Sequence, residues 1–277
     1  MKNEARYIFP ATIAILLSGA ILLPAQPWQV DRDLANDLTK NGVGIEATQA
    51  SYWFDNGVLT WDQMNTFVDL VNRGITDIEA YLGTNLPPGR KIRYFISYRV
   101  DISHSTWRSV YLPMAKVVNQ TVPYLHETTH VLAPCDNCPM WFSEGLASYV
   151  QSYVSEHTGG YDGGIFSRRG NRGIDFDAKR WLANDRGLAV VPFIGVHGEP
   201  PRINYDRSNV AAPFYVMAQS FVKFMMGRLT PEQARAIFVA KDFDAAVNAS
   251  TGKSPNEWKD LWLAELGVPN TSLPTHE

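Results

Sequence analysis

Leu125 to Leu132 reads LHETTHVL, two histidines four residues apart with a glutamate directly after the first. On a helix, residues i and i+4 share one face with Cβ atoms about 5 to 6 Å apart. His126 and His130 can therefore present two imidazoles to one metal ion. Glu127 is turned about 100° from His126, so it can address a water molecule on such an ion rather than the ion itself. Shuffling this composition would give the pattern in roughly one chain in two hundred. From these residues alone, two buried histidines hydrogen-bonded to backbone remain the competing reading.

A catalytic zinc takes three protein ligands and keeps one position open. The segment Met140 to Tyr149, MWFSEGLASY, offers Glu144 as the third, on a helix expected to begin after Pro139. Two antiparallel helices joined by a short connector would bring that carboxylate to the histidine face. The connector, APCDNCP from Ala133 to Pro139, holds both cysteines of the chain. CxxC in a cytosolic protein points to redox or metal chemistry, whereas two lone cysteines in an exported chain point to a disulfide. The disulfide is the expectation here, with the task of fixing the connector that sets Glu144 against the histidines.

The surrounding elements must hold this arrangement. Thr60 to Gly83 predicts a helix: Thr60 and Gln63 form a capping box, Met64, Phe67, Val71, Ile75, Ile78 and Leu82 recur at three and four residues, and Gly83 stops it. Lys91 to Tyr98 alternates and reads as a strand, with Trp107 to Met114 a second. Helices are expected over Gln120 to Leu132, Pro139 to Val154, Ala211 to Met226 and Pro231 to Ala240. His157 to Asp177, rich in Gly and Arg, reads as irregular. The expected class is α+β, a small mixed sheet ahead of the HExxH helix and a mainly helical C-terminal part.

HETTHVL followed by WFSEGLASYV resembles the gluzincin metallopeptidases, and most of all the compact peptidase MA-like domains of exported proteins. The resemblance covers roughly Val58 to Gly267, including FYVMAQSFVKFM and the final AVNASTGKSPNEWKDLW. It implies one zinc per chain bound by His126, His130 and Glu144, with Glu127 as general base and then proton donor to the leaving amine. Many gluzincins place a carboxylate four residues after the ligand glutamate to hold the first histidine; here that position is Ser148, a weaker partner. An oxyanion donor, often a Tyr or His in such enzymes, is sought among Tyr149, His157, Tyr161, Tyr205 and Tyr215. Tyr149 is turned away on the Glu144 helix, and Tyr215 is chosen because it opens the segment resembling the family's next helix. Packing against Phe214 and Phe221 is its alternative role.

Composition suits a folded chain with a real core: 277 residues, 45% apolar and 19% charged. A net charge of -3 and a pI near 6.1 argue against a nucleic-acid partner. Ser167 to Arg172, SRRGNR, reads as a solvated loop. Lys2 and Arg6, the apolar run Ala11 to Leu23 and the break Pro24-Ala25-Gln26-Pro27 have the order of a secretory signal. Residues 1–25 are thus expected to be a signal peptide or an uncleaved anchor, 26–57 an extension, 58–267 the metallopeptidase domain and 268–277 a tail. Either fate of the signal puts the rest outside the cytoplasm, secreted or in the periplasm or cell envelope, and any membrane contact would run through an uncleaved anchor. His104, His157 and His197 read as loop histidines. Asn119, Asn248 and Asn270 begin glycosylation-type triplets. The expected activity is zinc-dependent hydrolysis of a peptide or protein substrate; the alternative is a zinc-binding extracytoplasmic domain, catalytically inactive or not a peptidase, that serves as a binding module.

Overall fold

A computed structural model describes residues 27–135, 137–158, 173–197 and 211–268. The signal, Tyr161, Tyr205, SRRGNR, the Asn270 triplet and nearly all of the tail lie outside those residues. The chain opens with α1 (Pro27–Asn41), β1 (Val43–Glu46), β2 (Ala50–Phe54), α2 (Trp61–Leu82) and β3 (Ile92–Ser97). A two-residue turn then joins β4 (His104–Thr106) to β5 (Ser109–Pro113). The helices α3 (Met114–Val118), α4 (Tyr124–Leu132), α5 (Met140–Thr158), α6 (Ile174–Leu182) and α7 (Asp185–Leu188) follow. After a 3-10 turn at Val191–Phe193 come α8 (Ala211–Met226), α9 (Pro231–Phe238), α10 (Phe243–Thr251) and α11 (Pro255–Glu265). The class is α+β, with a mixed sheet and a mainly helical C-terminal part.

The sheet has the order β1-β2-β3-β5-β4. β2, β3 and β5 run parallel, and antiparallel β1 and β4 close the two edges. Period-2 alternation sorts the side chains onto two faces. Tyr52, Phe54, Tyr94, Ile96, Val110 and Leu112 enter the main core with α2, α4 and α5. The alternate residues Trp53, Phe95, Tyr111 and His104 stack as a ladder across the other face, with ring centroids 5.1, 5.2 and 4.8 Å apart. Leu34 and Leu38 of α1 cover that ladder.

Residues 26–57, expected as an extension, thus supply α1 and two strands of the same sheet. α2 begins with the expected capping box and ends on Gly83, whose φ of 62° suits a residue without a Cβ. The helix expected from Gln120 starts only at Tyr124: Gln120 takes a φ of 55°, Pro123 has no amide hydrogen to donate, and the chain first makes the separate short α3. The stretch expected to be irregular from His157 is helical at both described ends, in α5 through Thr158 and in α6 from Ile174.

Candidate metal centre

Every residue of α4 except His130 is buried. Such burial requires the helix's polar side chains to find partners. Thr128 shares a 2.7 Å hydrogen bond with Tyr94 and donates to the Tyr124 carbonyl, while Thr129 donates to the Leu125 carbonyl. Two glycines let neighbouring helices come close. A Cβ on Gly74 of α2 would lie 2.5 Å from Leu125 Cδ2, and one on Gly145 of α5 would lie 2.5 Å from the Ala218 carbonyl oxygen of α8. α4 is consequently gripped between α2 and α5, with α8 against the far side of α5.

This packing brings the three expected ligands together. His126 Nε2 lies 3.1 Å from His130 Nε2 and 3.1 Å from Glu144 Oε2, and His130 Nε2 lies 3.7 Å from Glu144 Oε1. Ligand atoms about 2.0 to 2.1 Å from a tetrahedral ion stand roughly 3.4 Å apart, so the triangle fits one cation. Two imidazole nitrogens and a carboxylate turned to a common point leave lone pairs that a cation would satisfy jointly. Among the described residues this trio is the group that could hold a metal ion. The other ring nitrogen of each histidine faces a serine of α5, His130 Nδ1 at 3.3 Å from Ser143 Oγ and His126 Nδ1 at 3.4 Å from Ser148 Oγ, so with Nε2 on a cation each Nδ1–H would donate to a serine. Ser148 was anticipated. Ser143 was missed, although its place directly before Glu144 on the same helix was a usable signal.

Burial would push the Glu144 carboxyl up, but hydrogen bonds from His126 and His130 outweigh it and hold the group well below the usual carboxylate range. Burial pulls His130 down, and the Glu144 contact with the Glu127 charge more than reverses it, leaving the imidazole raised. Glu127 behaves in the opposite way to Glu144. It is 6% exposed and raised above a normal carboxyl, because burial dominates the attraction of the two histidines. Among the described residues its carboxylate has no hydrogen-bond partner, and it faces a cleft of about 1190 Å³.

The cleft has the trio and Glu127 on its floor, β4 on one wall and Tyr215 from α8 on another. The Tyr215 ring centroid is 6.4 Å from that of His126. Tyr149 points elsewhere, into a cluster with Tyr81 and Tyr153. His157 stacks on Tyr153 at 4.2 Å and is not on the cleft wall. His197 meets Asp244 at the surface. His104, read as a solvated loop residue, instead opens edge strand β4 and lines the cleft. Its Nε2 donates to Asp31 of α1 at 3.1 Å, and Nδ1 lies 2.9 Å from the Ile102 carbonyl. Cys135 and Cys138 stand with Cα atoms 5.2 Å apart, a separation a disulfide spans. No helix among the described residues is long and apolar enough to cross a membrane. Compared with known protein families and with curated proteins, the chain matches none.

Proposed function

We propose that this chain is an exported zinc metallopeptidase of the gluzincin type, with His126, His130 and Glu144 as zinc ligands. The observation that carries this reading is the ligand triangle on the floor of an open cleft, with the unpartnered Glu127 carboxylate beside it. Two nitrogens and one carboxylate oxygen with an accessible fourth position are the donor set of a hydrolytic zinc site rather than a closed structural one. Zinc held there would acidify a water molecule and polarise a substrate carbonyl.

The chain's own residues divide the remaining work. Glu127, desolvated and raised, takes the proton from the attacking water and passes it to the leaving amine. Tyr215 is the donor that steadies charge developing on the carbonyl oxygen. Among the described residues strand β4 pairs only with β5, so its outer edge offers unpaired backbone groups to an extended peptide at the cleft. That edge favours a peptide over a compact small molecule as substrate.

Glu127→Gln is expected to keep one bound zinc per chain and lose hydrolysis by roughly three orders of magnitude or more, whereas His126→Ala and Glu144→Ala lose the metal as well. Metal analysis of the purified variants beside a peptide-library digest reads both quantities. Equal zinc loss in all three would remove Glu127 from its role. One zinc per wild-type chain with no turnover on any peptide would favour a binding module instead.

A further inference from the structure

Among the described residues, Lys91, Arg108, Lys116 and Lys223 are half-buried, and Lys259, away from the cleft, is buried beside the Asp260 charge. A cation that gives up part of its hydration ordinarily regains it from a carboxylate. Lys91 does so with Glu46 at 2.7 Å, and Lys223 with Asp175 at 2.5 Å. Arg108 and Lys116 have no such partner among the described residues, and both line the cleft that holds the ligand trio. Exposed Arg90 lines it too. Against these three cations, Asp101 is the single acid on the described walls besides Glu127 and Glu144. Three cations thus face three acids on the described walls, and a divalent cation held by the trio would offset Glu127 and Glu144, leaving the cations in excess of Asp101.

Their placement is as informative as their charge. Arg108 sits in the turn that joins β4 to β5, directly before Ser109, and Lys116 lies in α3 just past the other end of β5. β4 runs alongside β5 with Thr106 opposite Ser109 and His104 opposite Tyr111. Among the described residues the outer edge of β4 is unpaired, and an extended peptide running on from it past Arg108 and Lys116 would stay on the wall of one cleft. The five residues of β5 set the span, about 17 Å at the usual strand rise. We infer that the cleft selects extended peptides rich in aspartate and glutamate, with Arg108 and Lys116 as the selecting groups. This rests on the peptidase reading for the nature of the ligand, but its test does not require turnover.

The zinc-loaded Glu127→Gln protein is titrated, by fluorescence anisotropy, with two labelled peptides that differ only in Asp against Asn at the flanking positions. The Asp peptide is expected to bind about tenfold more tightly at low ionic strength, with the ratio shrinking as salt rises because the contacts are partly solvated. Adding Arg108→Gln and Lys116→Gln together should collapse the ratio to about twofold or less, and Arg108→Gln alone should remove roughly half of the preference on a logarithmic scale. Lys91→Gln, at a paired cation off the cleft, should leave the ratio as it was. Equal affinity for both peptides, binding of neither, a preference that survives the double change in a normally melting protein, or tighter binding of a phosphate polyanion would each overturn the inference. Failure of the peptidase reading would show separately, as wild-type protein cleaving neither peptide while the affinity ratio persists.

Discussion

Gly145 follows the third ligand directly, and replacing it with alanine tests how the site is held. The added Cβ would lie 2.5 Å from the Ala218 carbonyl oxygen, 2.7 Å from its carbon and 2.8 Å from Val222 Cγ2. The first two atoms are backbone of α8 and cannot rotate aside, so α5 and α8 must separate by several tenths of an ångström. Overpacking of this kind costs up to about 3 kcal/mol, while alanine returns about 1 kcal/mol in helix propensity. The clash wins, and a net loss of about 2 kcal/mol is expected. For a domain of this size that corresponds to a melting temperature lower by roughly 4 to 8 °C. Because Glu144 moves with the same turn, the stabilisation conferred by added zinc should shrink as well, since it follows the ratio of free metal to dissociation constant. Thermal melts in chelator and in excess zinc measure both effects. Gly44→Ala is the control: its Cβ would meet nothing nearer than Trp53 Nε1 at 3.6 Å, so it should melt near wild type. A Gly145→Ala protein within about 1 °C of wild type in chelator would refute the close α5–α8 crossing.

Three further outcomes are expected. Tyr215→Phe should lower kcat about a hundredfold with KM and zinc content nearly unchanged, read by steady-state kinetics on a cleaved peptide; an unaltered kcat would return Tyr215 to a packing role. Ser148→Ala should weaken zinc binding roughly tenfold through loss of the His126 Nδ1 contact, measured by competition with a chelator, and Ser143→Ala should do the same through His130. Thiol labelling of denatured, unreduced protein from its native compartment should find no free cysteine, and the double Cys→Ser variant at 135 and 138 should melt earlier; two reactive thiols would exclude the disulfide.

The His126, His130 and Glu144 cluster that could hold a metal ion was legible in the sequence because its geometry is local. Helical spacing alone puts His126 and His130 on one face, and the short connector folds Glu144 back toward them. The start and stop of α2 were legible for the same reason, since Thr60, Gln63 and Gly83 act within one turn. What stayed hidden depends on pairing between distant segments. His104 became part of the cleft only through the β4–β5 ladder, and a three-residue strand carries too little periodicity to announce itself. α1 escaped notice because its apolar stripe, Leu34 and Leu38, is narrow and gains meaning only against Phe95 and Tyr111. Arg108 and Lys116 looked like ordinary surface cations until the fold placed both on one cleft, neither in an ion pair with a described carboxylate.

The three ligands also differ from the rest of the cleft in when they can assemble. His126 and Glu144 are eighteen positions apart, within one helical hairpin, whereas the walls come from β4 before it and from α8 beyond α7. Closing a short hairpin costs little chain entropy and is fast, while contacts across the whole chain form late. An ion bound by this trio would be within reach of α4 and α5 before the α8 wall is in place, and it would then favour the hairpin during folding as well as in the folded chain. A chain that held an ion early would still lack the α8 wall, so under the peptidase proposal hydrolytic competence would follow the α5–α8 contacts rather than the metal.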